Sequence, residues 1–291
     1  MRNIFILIII VAVTGCCRDS SKLPELQAGI VRNYIETFPV ILKRNTEKDF
    51  RETNIKYYDS EKKLRKAFSR NEVDIAVLPT ESILDKPKNK AKILTCINNT
   101  GVAFASIDSI RSINDLKNKK IAVIDYHNLV NILNFTDKKY NLNSEIIIFS
   151  NRYAASGAIK NKKADVIFDV LPEISAREKE GKHLFWLRET EPYVSTCQIL
   201  GNESSYKIKK ALTDLFLAQV YENVCDINSH PYLSYEALGK AYNLRSGYDK
   251  IVLRNTSYIY GLKPEIIKFD QEAIELISGK KTDLQDYLYK E

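Results

Sequence analysis

Asn71-Glu72-Val73-Asp74-Ile75-Ala76-Val77-Leu78-Pro79-Thr80-Glu81 is the stretch from which the fold can be read. Its centre, Asp74–Leu78, is one acid followed by an unbroken apolar run. A strand with one wet face would alternate, so this run reads as a strand buried on both faces of a sheet. Pro79 has no N–H to give to a ladder and ends it, which leaves Thr80 and Glu81 just past the carboxyl end. The same grammar extends outward. Upstream, Leu26–Val31 and Asn54–Tyr58 read as strands. Phe38–Lys48 reads as a helix, with Thr37 as cap and Pro39 in its first turn. Ser60–Ser69 is a second helix, with Leu64, Ala67 and Phe68 on one face. Downstream, Lys92–Ile97 and Gly101–Ile107 are strands.

A second series begins after Asp115. Its expected strands are Lys120–Ile124, Glu145–Phe149, Asp165–Val170, His183–Leu187 and Val194–Leu200. The helices between them are Asn128–Asp137, Tyr153–Lys160 and Glu173–Glu180. From Ser204 the text turns helical. Ile208, Ala211, Leu212 and Leu215 share a face behind Ser204 or Ser205 as cap, and Ser234–Tyr242 and Pro264–Ser278 follow. Strands alternating with helices specify parallel βαβ units. The expected fold is therefore α/β, with two lobes, each a mainly parallel sheet flanked by helices. Two hinge crossings join them and a helical C-terminal tail closes the chain. Residues 25–100 and 194–291 would form the first lobe and 101–193 the second.

The amino terminus adds a location. Met1-Arg2-Asn3 is followed by an apolar run, Ile4–Val13, too short to span a bilayer. A charged start, a short apolar core and small residues after it make a secretory signal. The run ends Val13-Thr14-Gly15-Cys16, which resembles the bacterial lipobox. That resemblance implies cleavage after residue 15, lipidation of Cys16, and a polar tether over residues 16–24. Acyl chains contribute about 0.8 kcal/mol per buried methylene, so two or three hold a protein firmly to a membrane. The expected place is the cell envelope, facing the periplasm or the exterior.

The 291 residues are 44% hydrophobic, enough for a substantial core, and carry a formal charge of +7. The basic excess is scattered in short clusters such as Lys117, Lys119 and Lys120, as on a solvated surface, and does not point to nucleic acid. After the signal, Cys96, Cys197 and Cys225 remain. Their number is odd, none lies in a CxxC, and their spacing suits no zinc site. They read as buried small apolar residues, with no metal and no cofactor expected.

Three phrases then carry a family resemblance. The opening stretch is similar to the "G-x-x-D-x-A-x-x-P" segment of type 2 periplasmic binding proteins. Ile110–Val123 resembles their "I-x-x-x-x-D-L-K-G-K-x-I-A-V" passage into the second lobe. Ala154–Glu173 resembles their "A-L-x-x-G-x-x-D-A" segment. Coverage runs from about residue 25 to 225, in the branch serving nitrate, sulfonates, taurine and thiamine-precursor pyrimidines. Two departures stand out: Asn118 replaces the family's glycine, and Asp125-Tyr126-His127-Asn128 replaces a small-residue turn that receives an oxyanion. A bulky, acidic turn wraps an anion badly. The departure favours a ligand that donates hydrogen bonds or has a flat ring.

In such sheets ligands sit beyond the carboxyl ends of the strands. Those ends supply Arg32, Asn33 and Tyr34; Thr80 and Glu81; Tyr126 and Asn128; Arg152 and Tyr153; Asp169 and Glu173. The crossings supply Asn99, Thr100, Ser195 and Thr196. Each has a plainer alternative. The tyrosines can be packing, Asn128 can cap a helix, the arginines can pair with neighbouring acids, and Glu81 and Glu173 can sit at helix starts for the dipole. The resemblance implies a monomeric, non-catalytic solute-binding protein that passes a small solute to an ABC transporter permease. The alternatives are a surface interaction lipoprotein on the same fold, or a small-metabolite enzyme, for which no GxSxG, HExxH or P-loop is present.

Overall fold

The acid that opens the deciding stretch pins the first sheet in register. Asp74 donates its N–H to the Gln27 carbonyl at 2.8 Å, and its carboxylate accepts the Gln27 N–H at 2.7 Å. Lys209 completes the clamp, donating to the same carboxylate at 2.7 Å. The computed structural model describes residues 25–289 except 33, 43–52, 87–89, 100, 127 and 245–246, and no side chain at 178–179. The signal peptide, Cys16, the tether, Asn33, Thr100 and His127 therefore lie outside the described residues.

The strands are β1 (Leu26–Val31), β2 (Thr53–Tyr58), β3 (Ile75–Leu78), β4 (Ala91–Cys96), β5 (Asn98–Asn99), β6 (Val102–Ser106), β7 (Lys120–Ile124), β8 (Glu145–Phe149), β9 (Val166–Val170), β10 (His183–Trp186), β11 (Gln198–Asn202) and β12 (Ser257–Tyr258). The helices are α1 (Phe38–Ile41), α2 (Glu61–Ser69), α3 (Leu129–Tyr140), α4 (Arg152–Lys160), α5 (Glu173–Lys179), α6 (Glu203–Ile208), α7 (Lys210–Ser229), α8 (Pro231–Tyr242), α9 (Tyr248–Asn255) and α10 (Pro264–Ser278).

Two five-stranded sheets result, ordered β2-β1-β3-β11-β4 and β10-β6-β9-β7-β8. Read from opposite edges they have one plan, in which three parallel strands are followed by one opposed strand and one more aligned strand. The opposed strands are β11 and β6, each antiparallel to both neighbours. They are the first strands formed after each crossing between sheets. The fold is thus mixed α/β, with two helix-flanked sheets and a helical C-terminal region, as expected.

The plan repeats at atomic detail. Asp165 does in the second sheet what Asp74 does in the first, exchanging hydrogen bonds with the backbone of Lys120 at 2.8 Å in each direction. Each strand after the clamp leads into a similar phrase, Val77-Leu78-Pro79-Thr80-Glu81 in one and Val170-Leu171-Pro172-Glu173 in the other. Both sheets therefore present a glutamate just past their third strand.

Several expectations need correction. The strand expected at Val194–Leu200 starts at Gln198, because Ser195 and Thr196 bond side chains instead of a ladder. The helix expected from Ser204 breaks at Lys209 into α6 and α7. Ile208 and Leu215 are 80% and 57% exposed. The buried face is Thr213, Phe216, Leu217, Val220, Asn223, Val224 and Ile227, an i, i+3, i+4 series one step off the expected one. Neither Ser204 nor Ser205 caps, since Asn202 holds the N-cap position. Thr37 precedes α1 without a side-chain cap bond and donates instead to the Tyr34 carbonyl at 2.7 Å. The tail touches both sheets' helices: α7 packs on α1, α9 on α5, and α10 on α3. Cys96, Cys197 and Cys225 are free thiols, the first two buried.

The clamps give a graded expectation. Asp74 is 7% exposed and Asp165 lies at the surface. Asp74→Ala strands the Gln27 N–H and Lys209 and should cost about 2–3 kcal/mol, while Asp165→Ala should cost about 1 kcal/mol or less, read as urea midpoints at constant slope.

Candidate functional site

The ends of β1, β3, β7, β8 and β9 meet between the two sheets, and the first contact there is aromatic. Tyr34, 1% exposed, meets Tyr126 edge-on at 5.1 Å and donates its hydroxyl to Glu61 at 3.2 Å. A tyrosine from each sheet is thus in contact, a pairing worth about 0.5–1.5 kcal/mol beyond the area it buries. The Arg152 guanidinium lies over the Tyr126 ring at 4.6 Å. Arg152 opens α4, where the side chain of Asn151 caps the helix by accepting from Ala154 at 2.9 Å. It is fixed by Asp169 at 3.2 Å and by Glu173 at 3.1 Å. Its Nη2 is buried with no hydrogen-bond partner, as is Oε2 of Glu173.

Glu81 is the second link between the sheets. Its carboxylate accepts one amide N–H from Asn128 and one from Asn131, both at 3.2 Å. Asn128 therefore does not cap α3. It sits in the left-handed region at φ 58°, which asparagine tolerates, and its Oδ1 is buried with no partner. Asn131 lies one turn further along the same helix face.

Beneath these contacts runs a polar floor. The fully buried Glu36 accepts from the Thr196 hydroxyl at 3.0 Å, and Ser195 donates to Asn98 at 3.2 Å. Gln198 donates to Ser195 at 3.1 Å and to Asp270 of α10 at 3.2 Å, and Thr80 also donates to Asp270. The return crossing, the end of β3 and the C-terminal helix are thereby tied together.

Burial sets the electrostatics. It pushes the carboxyls of Glu36, Glu81, Glu173 and Asp270 up to about 7 each. The nearby Glu61 adds to the rise at Glu81, while Arg152 opposes it at Glu173. Asp169 is also raised by burial, against the pull of Arg152.

Tyr34, Thr80, Glu81, Tyr126, Asn128, Arg152, Asp169, Glu173, Ser195 and Thr196 are brought together here. Three expected residues are not. Arg32 is exposed, pairs with Asp59 at 3.5 Å and lies over Tyr57 at 5.3 Å. Tyr153 is 91% exposed, because α4 turns it outward. Asn99 is used by the crossing, pairing with β12 and donating its amide to the Pro192 carbonyl. Glu36, Glu61, Asn131 and Asp270 join the cluster without having been expected from the sequence. Glu61 follows the end of β2, a strand end left out of the count. Asn131 could have been found from its spacing after Asn128. Glu36 and Asp270 carry no local signal, since distant packing places them.

Cavities lie against this cluster. One of about 620 Å³ is bordered by Tyr34, Glu61, Arg65, Glu81, Tyr126 and Asn128. Another, of about 500 Å³, is bordered by Tyr126, Arg152, Glu173, Tyr242 and Tyr248. A third, of about 200 Å³, lies between Glu81, Ser195 and α10. Among the described residues no group of three His, Cys, Asp or Glu stands close enough to hold a metal.

A family model described as NMT1/THI5 like matches residues 52–232, well over half of the chain. The chain belongs to the NMT1/THI5-like family. Its fold is that of type 2 periplasmic solute-binding proteins of ABC import systems. The periplasmic aliphatic sulphonate binding protein SsuA of Escherichia coli superposes with a TM-score of 0.76 at 15% identity, over 92% of this chain and 93% of that one. The alkanesulfonate-binding protein SsuA of Xanthomonas axonopodis pv. citri, bound to MOPS, superposes at 0.71 and 15% identity, over 93% and 99%. The ligand-binding component of an ABC-type import system from Staphylococcus aureus, with zinc bound, gives 0.71 at 12% identity, over 92% and 97%. No curated protein matches the sequence.

A pH dependence follows from the raised carboxyls of this family member. Their folded values of about 7 lie above the ordinary 4.5 of a glutamate and 3.8 of an aspartate. Between those limits the folded chain binds more protons than the unfolded chain. The stability they contribute is present below the lower value and is lost as pH rises through about 7. The Tm of the ligand-free chain should therefore rise when pH is lowered from about 7.5 to about 5.5. Glu36→Gln should reduce that rise, and a flat profile in differential scanning calorimetry would show these carboxyls ionised in the native state.

Proposed function

We propose that this chain is a lipid-anchored, extracytoplasmic solute-binding protein. It captures a small polar or heteroaromatic solute between its two sheets and delivers it to an ABC permease, with no chemistry performed. The observation that carries this reading is the set of buried, unpartnered polar atoms beside Tyr126: Nη2 of Arg152, Oε2 of Glu173 and Oδ1 of Asn128. A buried donor or acceptor without a partner costs about 1–3 kcal/mol, so a ligand offering complementary groups recovers that cost. Tyr126, half-buried and backed by the buried Tyr34, offers flat surface for a ring, and a few fixed polar groups set its orientation.

Closure fits the connectivity. The sheets are joined by the crossings from β5 to β6 and from β10 to β11, about which a hinge motion opens or closes the cleft. At Gly101 there is no room for a side chain: a Cβ would lie 2.2 Å from Leu171 and 2.8 Å from the Asn255 carbonyl. The anchor rests on Cys16 and its resemblance to a lipobox.

Differential scanning fluorimetry of the purified chain against pyrimidines, amino acids, amines, sulfonates, phosphonates and nitrate tests capture. A true ligand at 100 times its Kd adds about 2.7 kcal/mol, a clear rise in Tm. Tyr126→Ala and Arg152→Ala should each abolish the shift, and retention in both would remove these residues from the site. Cys16→Ser should move the chain from the detergent phase to the aqueous phase of a Triton X-114 partition. Unchanged partitioning would rule out that anchor.

A further inference from the structure

Of the three cavities, the one bordered by Tyr34, Tyr126 and Glu81 has an uneven charge balance. Arg65, one of its cations, is already matched, gripping Asp85 through two hydrogen bonds of 2.9 and 3.1 Å and lying 3.6 Å from Glu61. Lys62, the other, is exposed, where water and salt screen it. On the acidic side, Asp59 is held by Lys63 at 2.9 Å and by Arg32. Glu81 and Asp125 remain, and neither has an ion-pair partner among the described residues. Both oxygens of Glu81 accept from neutral side-chain amides, and Arg65, already shared with Asp85 and Glu61, offsets its charge only in part.

Asn128, which borders this cavity and the one against α10, supplies a second observation. Oδ1 of Asn128, the residue whose amide holds Glu81, is a buried acceptor with no donor. Beside Glu81 the cavity thus holds a free acceptor and the first N–H groups of α3, which no side chain caps, and the carboxylates of Glu61, Glu81 and Asp125 set its charge. Anion sites in proteins are built from free backbone N–H groups, guanidinium forks or ammonium groups. An oxyanion drawn to those N–H groups would face Glu81, Glu61 and Asp125 as well.

We infer that the solute of this cleft is an organic cation, a protonated amine or amidine on a flat or slender body, whose N–H groups donate to Glu81 and to Oδ1 of Asn128. This rests on the reading of the chain as a solute-binding protein and specifies the charge of what it binds. A planar amidinium presents parallel N–H donors that match a carboxylate, and a cation gains further from the face of a tyrosine ring. The raised carboxyl of Glu81 fits the same picture, because a bound cation would return it to the ionised form.

Benzamidine and benzamide separate charge from shape, since they differ little except in the charged group. Calorimetric titration of the full chain at pH 8 should give benzamidine an affinity about tenfold or more above benzamide, with no heat from ethanesulfonate. Glu81→Gln should lower the benzamidine affinity about tenfold, and Asp125→Asn, at an exposed position, about threefold. The second variant keeps the test decisive if the first fails to fold. Absence of benzamidine binding at millimolar concentration, or equal affinity for benzamide, overturns the inference. If ethanesulfonate binds in that case, solute capture stands and only the charge assignment falls. If nothing in the wider panel binds either, the solute-binding reading falls with it.

Discussion

A chain that passes twice between two sheets must join each of them from the edge where its parallel strands end. The strand that follows a crossing therefore starts at the cleft and runs away from it, against its neighbours. That single constraint explains why β6 and β11 are the opposed strands of their sheets, each antiparallel to both neighbours. It also explains the polar floor of the site. Residues 194–197 cannot join a ladder while turning into β11, and they lie buried between the two sheets. Ser195 and Thr196 must find partners there, and they find Asn98 and Glu36.

The two sheets meet as near copies, and the site inherits their symmetry. Each copy has an aspartate that clamps its first and third strands, then a buried run, a proline and a glutamate. Glu81 and Glu173 are the products of that repeat, yet their surroundings differ. Glu173 is answered by Arg152 and Glu81 by two asparagine amides. A charged pair and a neutral cradle at equivalent positions make the cleft chemically asymmetric. The difference arises in the residues that follow β7 and β8, beyond the repeated core.

The alternation of strands and helices was legible because it depends on local period. Asp74–Leu78 could hardly be anything but a buried strand, and the two βαβ series followed from the same rule. Tyr34, Glu81, Tyr126, Arg152 and Glu173 were legible between the sheets for the same reason, since each follows the end of a strand. What could not be read was set by contacts distant in sequence. Asp270 reaches Thr80 across 190 residues. The buried face of α7 was misjudged by one step, because the helix breaks at Lys209 and restarts. Tyr153 was misplaced because adjacent residues on a helix point about 100° apart, and only Arg152 faces inward.

Residue identity at the strand ends is free to vary because those ends are not needed to hold the sheets. Removing Tyr126 or Asn128 leaves both five-stranded ladders and both aspartate clamps intact, whereas removing Asp74 strikes the ladder itself. A framework of this kind can keep its shape while its cleft changes sign. The same separation explains the bulky turn Asp125-Tyr126-His127-Asn128. A small-residue turn would let an anion come close to the first N–H groups of α3, which no side chain caps. Here Asn128 occupies the N-cap position in a left-handed conformation and turns its amide to Glu81. The helix start is thereby used to bridge the two sheets.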